Sequence, residues 1–438
     1  MIRPMVTNPI PQFPAGFLWG VSTSAHQIEG AADLRAPSVW DAFTAEPGRV
    51  KDGSTAAVAC DHYHRYREDV ALLADLGVDA YRFSVSWPRV DSPGGLDFYD
   101  RLVDELCAAG IRPVATLFHW DLPVGLDWLR RETAERFAQY TAAVAARLGD
   151  RVGTWLPLNE PAEHTLLGHA LGAHAPGRQL LFDALPAAHH QLLGHGLAVR
   201  ALRAAGATDI GIANSHGPTW PASHAAEDLE AAAFYDILLN RLFADPLLLG
   251  RYPEGIDALM PGDVEADLKV IAEPIDRYGV NYYAPTRVGA PQGDEIEFGG
   301  LTLPAELPFS VREIEDRPVT DFGWPVVPEG LTELLTGLRD RYGDRLPPVV
   351  ITENGCSYPG LDDQDRIGYL DGHIRALHDA LAAGVDVRGY FVWSLLDNFE
   401  WAEGYARRFG LVHVDFATLE RTPKASYGWF REVLRAQR

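Results

Sequence analysis

Among its 438 residues the chain has only three cysteines and three lysines. Cys60, Cys107 and Cys356 are odd in number and lack metal-ligand spacing, so neither a disulfide framework nor a cysteine-built metal site is expected. Unpaired thiols suit a reducing compartment, and the cytoplasm is the expected location. Lys51, Lys269 and Lys424 all fall outside the segments read below as strands, which excludes Schiff-base chemistry from a strand-borne lysine. No apolar run approaches the roughly 20 residues that span a bilayer. The proline-rich start, MIRPMVTNPIPQFPAG, has no apolar stretch to serve as a signal peptide. There is no GxGxxG turn and no low-complexity linker. Basic residues are also scarce: 38 against 61 acidic gives a net charge of −23. Such a field repels phosphate backbones and anionic lipid, so neither nucleic acid nor a membrane surface is expected as partner.

What is present is an ordinary soluble composition, 47% hydrophobic and 23% charged, in a repeating order. A short apolar strand, a turn and an amphipathic stretch recur. The strand candidates are 17–24, 80–86, 112–119, 154–160, 209–215, 277–283, 347–354 and 387–395. Helical spacing, with apolar residues three and four apart, marks 69–77, 98–110, 136–150, 331–344 and 367–384. Alternating strand and helix implies a parallel sheet, and eight units imply closure. The expected fold is α/β, a single (β/α)8 TIM barrel forming one domain over 1–438. An open doubly wound sheet is the alternative, but it commonly has fewer strands and a glycine-rich first turn. The stretch from about 284 to 320 has few helical signals and reads as a long loop, of the kind that carries function in barrels.

Several strand candidates end in polar or aromatic residues, and in a barrel those ends share one mouth. Arg82 lies on the second strand. His119 and Trp120 end the third, Asn159 and Glu160 the fourth, Asn281 to Tyr283 the sixth, and Glu353 and Asn354 the seventh. The eighth leads through Trp393 to Asn398, Glu400 and Trp401. Two carboxylates at strand ends suit glycoside cleavage, in which one group donates a proton and the other attacks as an anion. Arg82 is placed to keep Glu353 ionised, and Tyr283 to position it. Trp120, Trp393, Trp401 and Phe409 offer faces for a pyranose ring. Gln27, His119, Asn159 and Glu400 offer polar groups for its hydroxyls.

At these residues the sequence resembles family 1 glycoside hydrolases over essentially its whole length. FLWGVSTSAHQIEG (17–30) is similar to the family's N-terminal signature. LNEP (158–161) resembles the acid/base motif and ITENG (351–355) the nucleophile motif. The segment from Trp393 to Phe416 is close to the C-terminal signature. The resemblance implies a retaining β-glycosidase, foremost a β-glucosidase, with Glu160 as acid/base and Glu353 as nucleophile. It implies glycone binding by Gln27, His119, Asn159, Glu400 and Trp401, walls from Trp393 and Phe409, and support of the nucleophile by Arg82 and Tyr283. No metal and no organic cofactor are implied. The implied partner is a small β-glycoside or short oligosaccharide. A β-galactosidase or β-fucosidase, or a transglycosylase using the same site, are alternatives. Glu400-Trp401 stands where members acting on 6-phosphorylated sugars have a small or cationic set, so an unphosphorylated sugar is expected. His26, Pro157 and Leu126-Asp127 depart from the usual pattern, the last beside the entrance.

Other residues have plainer readings. Trp155 and Tyr282 are expected in the core, because neighbouring strand residues face opposite ways. His62 and His64 fall on different faces of a helix and are not expected to share a metal. His189, His190 and His195 are expected to be satisfied core or solvated histidines, and Cys356 a small buried residue. The run from Asp362 to Asp365 reads as a solvated loop or helix start. A metal-dependent hydrolase would need more strand-end ligands than His119, and an inert sugar-binding protein would be expected to have lost a carboxylate.

Overall fold

Eight short strands form one parallel sheet that curls back on itself. The computed structural model describes residues 9–298 and 301–438, so the N-terminal stretch before residue 9 and residues 299–300 of the expected loop lie outside the described residues. The strands are β1 (Leu18–Ser22), β2 (Ala80–Ser84), β3 (Arg112–Phe118), β4 (Thr154–Leu158), β5 (Ala213–Ser215), β6 (Tyr278–Asn281), β7 (Val349–Asn354) and β8 (Val387–Trp393). They pair in the order β4-β3-β2-β1-β8-β7-β6-β5. Single bridges from Trp155 to Ile210 and from Asn159 to Ala213 join the two ends, giving the expected (β/α)8 barrel. The fifth strand is shorter than 209–215. At its start, the Ile210 N–H is taken by the Asp276 carboxylate at 2.8 Å.

Among the described helices, an outer one follows each strand: α1 (His62–Leu76), α2 (Gly95–Ala108), α3 (Arg131–Leu148), α4 (Leu185–Ala204), α5 (Val264–Ile271), α6 (Pro328–Tyr342), α7 (Gln364–Ala382) and α8 (Ala425–Gln437). In α2, Phe98, Tyr99, Leu102, Val103 and Leu106 form one buried stripe at three- and four-residue spacing. Gly77 ends α1 in the left-handed conformation, its N–H bonded to the Leu73 carbonyl. Trp155 and Tyr282 are core residues, as expected. His62 pairs with Asp69 and His64 with Asp61, so the two histidines have separate partners. The run from Asp362 to Asp365 is a helix start, in line with one of its two readings, with Asp363 buried against Arg366 and Ser426 just before α7.

Inside the barrel, Ala80, Val114, Leu156, Ala213, Val350 and Phe391 form a separate apolar layer, one residue from each of six strands. The Phe391 ring occupies the space over Gly20, where any side chain would collide with it. Above this layer the interior turns polar, with Arg82, Thr116, Asn281 and Thr352 all buried. The described residues of 284–320 include short strands where a loop was expected. Thr286–Gly289 pairs with Thr219–Pro221 and with Ser310–Arg312, and Ile296–Phe298 pairs with Leu301–Leu303. Strands of three or four residues are too short to show alternation in the sequence. Among the described residues, no helix is long and apolar enough to cross a membrane, and no group of three or more His, Cys, Asp or Glu could hold a metal ion.

Candidate active site

The polar layer carries the two strand-end carboxylates. Glu353 lies in β7, and its Oε1 accepts from Arg82 Nη1 at 2.6 Å while Oε2 accepts from the Tyr283 hydroxyl at 2.7 Å. Glu160 stands two residues beyond β4 with φ of +45°, a left-handed conformation unusual for a side chain of this type. Trp120 (φ +73°) and Trp401 (φ +51°) share that conformation at the same mouth. Strained backbone of this kind persists where surrounding structure holds it, and it gathers at functional sites.

Arg82 connects the two carboxylates. Its other terminal nitrogen donates to Asn159 Oδ1 at 2.6 Å, and Nε donates to Thr116 Oγ1 at 3.0 Å. Asn281 Nδ2 donates to both Asn159 Oδ1 (3.0 Å) and Glu160 Oε1 (2.8 Å). With two donors on its oxygen, Asn159 must present its amide hydrogens to His119 Nε2, 3.1 Å away. His119 Nε2 therefore accepts. Burial and the nearby Arg82 push this imidazole well below its usual range, so it is neutral and carries its proton on Nδ1.

The electrostatics separate the pair. Burial raises both carboxyls, but the causes diverge from there. At Glu160 the charges of Glu353 and Glu163 add to the burial, pushing it well above the ordinary carboxyl range. At Glu353 burial is opposed by the Arg82 charge and by hydrogen bonds from Tyr283 and Arg82, all of which favour the anion. Glu160 is thus the group that keeps its proton, and Glu353 the one held toward ionisation. Glu400 is raised to about 8 by burial, Glu353 and Glu403, so it too favours its protonated form at neutral pH.

A cavity of about 560 Å³ opens above these groups, lined at its inner end by His119, Trp120, Glu160, Tyr283, Glu353, Trp393, Glu400, Trp401 and Phe409. Gln27 is fully buried beneath it. Its Nε2 donates to Asn398 Oδ1 and the Phe399 carbonyl, each at 3.0 Å, and more weakly to Glu400 Oε2 at 3.4 Å. Asn159 and Arg82 also sit below the cavity rather than on its wall. His119 lies nearly parallel to both Trp393 and Trp401, with centroids 5.7 and 6.0 Å apart. Trp120 packs on Trp401 at 4.7 Å.

Sequence reasoning named Asn281 and His26 without giving them a role at the site, and did not single out several other neighbours. Asn281 bridges the two halves of the site from β6. Trp324 and Phe322, 4.4 Å apart and stacked, continue the aromatic wall to Phe409 and Tyr283. Trp40 lies 4.5 Å behind Trp401, and His26 stacks parallel to Trp401 at 5.9 Å. Glu163 lies one turn beyond Glu160, its carboxylate accepting from Ser215 Oγ at 3.0 Å. Alternation along β6 could have found Asn281, two residues before Tyr283 on the same face. The loop aromatics left no periodic signal.

Comparison with known proteins adds four findings. The profile of glycosyl hydrolase family 1 matches residues 10–438. The thermostable β-glucosidase B of Thermobispora bispora is 46% identical over 97% of this chain and 90% of its own. A bifunctional β-D-glucosidase/β-D-fucosidase of Bifidobacterium breve is 41% identical over 96% of this chain and 98% of its own. Among solved structures, a psychrophilic β-glucosidase from Micrococcus antarcticus superposes with a TM-score of 0.93 at 44% identity, covering 99% of this chain and all of the other.

Proposed function

The chain belongs to glycosyl hydrolase family 1 and is a retaining β-glycosidase, and from that premise we propose that it releases terminal, non-reducing β-D-glucosyl residues with Glu353 as nucleophile and Glu160 as acid/base. The observation that carries the assignment of roles is the difference in their partners. Glu353 is met by a guanidinium and a phenol, while Glu160 is met by the neutral amides of Asn281 and Asn159 and feels the charges of Glu353 and Glu163.

In the first step Glu353 attacks the anomeric carbon as Glu160 protonates the departing oxygen. The C–O bond to the aglycone breaks and a glycosyl ester to Glu353 forms. In the second step the now ionised Glu160 takes a proton from water, the water oxygen attacks the anomeric carbon, and Glu353 leaves. Two inversions return the β configuration. Arg82 and Tyr283 support the nucleophile. Gln27, His119, Asn159, Glu400 and Trp401 serve the glycone, with Trp120, Trp393 and Phe409 as walls.

The barrel is read as a single catalytic domain acting on a small, unphosphorylated β-glycoside. The residues named above as lining the inner end include no lysine or arginine to pair with a 6-phosphate, and they include the Glu353 carboxylate, which would repel it. The free thiols Cys60, Cys107 and Cys356 support a reducing compartment, the cytoplasm. The Bifidobacterium relative favours β-D-fucosides as a second substrate class.

The test is hydrolysis of 4-nitrophenyl β-D-glucoside, β-D-galactoside, β-D-fucoside and β-D-glucoside 6-phosphate, with the released sugar followed by proton NMR. The expected result is rapid release from the unphosphorylated glucoside, with the β anomer appearing first. First appearance of the α anomer would overturn the double displacement.

A further inference from the structure

The cavity has two chemically different ends. The inner end is made by barrel strands and presents carboxyls, an imidazole and indoles. Much of the outer end comes from segments inserted after β4, β5 and β6, and these walls are largely apolar, with Phe182, Tyr235 and Phe309 beside a larger number of leucines. Leu166, Leu171 and Leu181 line it from the first insertion, Leu238 and Leu239 from the second, and Leu307 from the third. All but Leu238 are only partly covered by protein, so their apolar surface faces the open space.

Several polar groups on these walls are already engaged, although His174 beside them has a ring nitrogen with no hydrogen-bond partner among the described residues. Thr165 Oγ1 accepts from Gln191 at 2.9 Å. His216 is bonded through both ring nitrogens, to Asn240 Oδ1 at 2.9 Å and Tyr278 Oη at 2.8 Å. Ser215 donates to Glu163. On the opposite rim, Lys51 and Arg49 are paired with Glu403 and Glu46. A second sugar placed against the leucines would surrender water from its hydroxyls without gaining equivalent partners, which disfavours it. An aliphatic group placed there loses only apolar hydration.

We propose that the preferred aglycone is aliphatic, an alkyl or terpenoid alcohol rather than a second sugar. This rests on the β-glucosidase reading of the inner end and names the substrate class that the outer end selects. The leucine wall acts on binding of the leaving group, so its contribution grows with the carbon count that reaches it.

The test is kcat/KM over n-alkyl β-D-glucosides from ethyl to octyl, kept below micelle-forming concentrations, beside cellobiose and 4-nitrophenyl β-D-glucoside. The longer alcohols differ little in acidity, so the series isolates burial. Each methylene that reaches the wall is expected to raise kcat/KM roughly threefold. Octyl glucoside should exceed cellobiose by at least about tenfold. In Leu171→Asn and Leu239→Asn the slope against chain length should flatten. A slope is a ratio within one preparation, so partial misfolding does not imitate that result. A flat series in the unaltered protein, or cellobiose as the better substrate, with the aryl glucoside still cleaved, overturns the aglycone inference and leaves the glycosidase reading standing. No cleavage of the aryl glucoside overturns both.

Discussion

Arg82 Nη1 lies 2.6 Å from Glu353 Oε1, and both side chains are buried. The same guanidinium reaches Asn159 and Thr116, so one cation ties β2 to β3, to the residue following β4, and to β7. A buried pair of this kind adds little net stability, because desolvating two ions offsets much of their attraction. Its consequence is geometric and electrostatic: it fixes which way Asn159 faces and which carboxyl ionises.

Arg82→Met should therefore fail twice. Removing one partner leaves a buried carboxylate uncompensated, which costs about 3–5 kcal/mol of stability. Glu353 should then hold its proton, and kcat should drop by roughly a thousandfold or more, as when a preorganised charge partner is lost. Arg82→Lys keeps the charge without the fork and should recover only part of the loss. Urea unfolding and turnover of 4-nitrophenyl β-D-glucoside measure the two effects. A folded Arg82→Met protein with normal kcat would remove Arg82 from the mechanism.

Tyr283→Phe is the gentler counterpart. The hydroxyl donates to Glu353 Oε2 and favours the anion. Losing a hydrogen bond to a charged group costs about 1.5–3 kcal/mol, or roughly ten- to a hundredfold in rate. The sign of the pH effect follows: without this donor the Glu353 carboxyl rises, and the acid limb of kcat/KM moves to higher pH. A Tyr283→Phe enzyme whose acid limb stays in place would show that the phenol only packs.

Glu160→Gln addresses the other carboxyl. The basic limb of the wild-type profile should report deprotonation of Glu160, raised by burial and by Glu353 and Glu163. In the variant that limb should vanish. First-step rates should fall most for alkyl glucosides, whose alkoxides need a proton, and least for 2,4-dinitrophenyl glucoside, whose phenolate leaves unaided. A uniform loss across leaving groups would count against the acid role.

The sequence revealed the barrel because each strand is an apolar run closed by polar residues, as in AYRFSVS and PPVVITEN. It revealed Glu160, Glu353 and Tyr283 because strand ends in a barrel share a mouth. It could not reveal that Asn281 bridges Glu160 and Asn159, since that depends on the register of β6 against β7. Gln27 and Asn159 were legible as polar groups near the sugar, yet both proved to be buried under the cavity, bonded to residues that line it. Within 284–320, Thr286–Gly289 pairs with residues 219–221, and a pairing over that sequence distance leaves no local pattern. The leucines of the outer wall have the same spacing as core leucines, and only the fold shows that they face open space.

Glu400 links the inner end of the cavity to stability. Its carboxyl is raised to about 8, mainly by burial and then by Glu353 and Glu403. In the unfolded chain the same group ionises near the ordinary glutamate value. Between those two values the folded protein holds a proton that the unfolded chain releases, so this group's contribution to stability falls as pH rises through the window. Glu400→Gln removes the titration while keeping a group that can accept from Gln27. The variant should match the parent near pH 4, gain progressively above that, and be more stable by on the order of 2 kcal/mol at pH 8, a figure lowered for the group's partial exposure. It should nevertheless lose kcat/KM, because a neutral amide cannot become the charged acceptor that a bound sugar's hydroxyls favour. Thermal melts at pH 4 and pH 8 beside aryl glucoside kinetics check both. Equal stability of the two proteins at pH 8 would mean that Glu400 is ionised in the empty site and that the charge of Glu353 is compensated by Arg82 before it reaches Glu400.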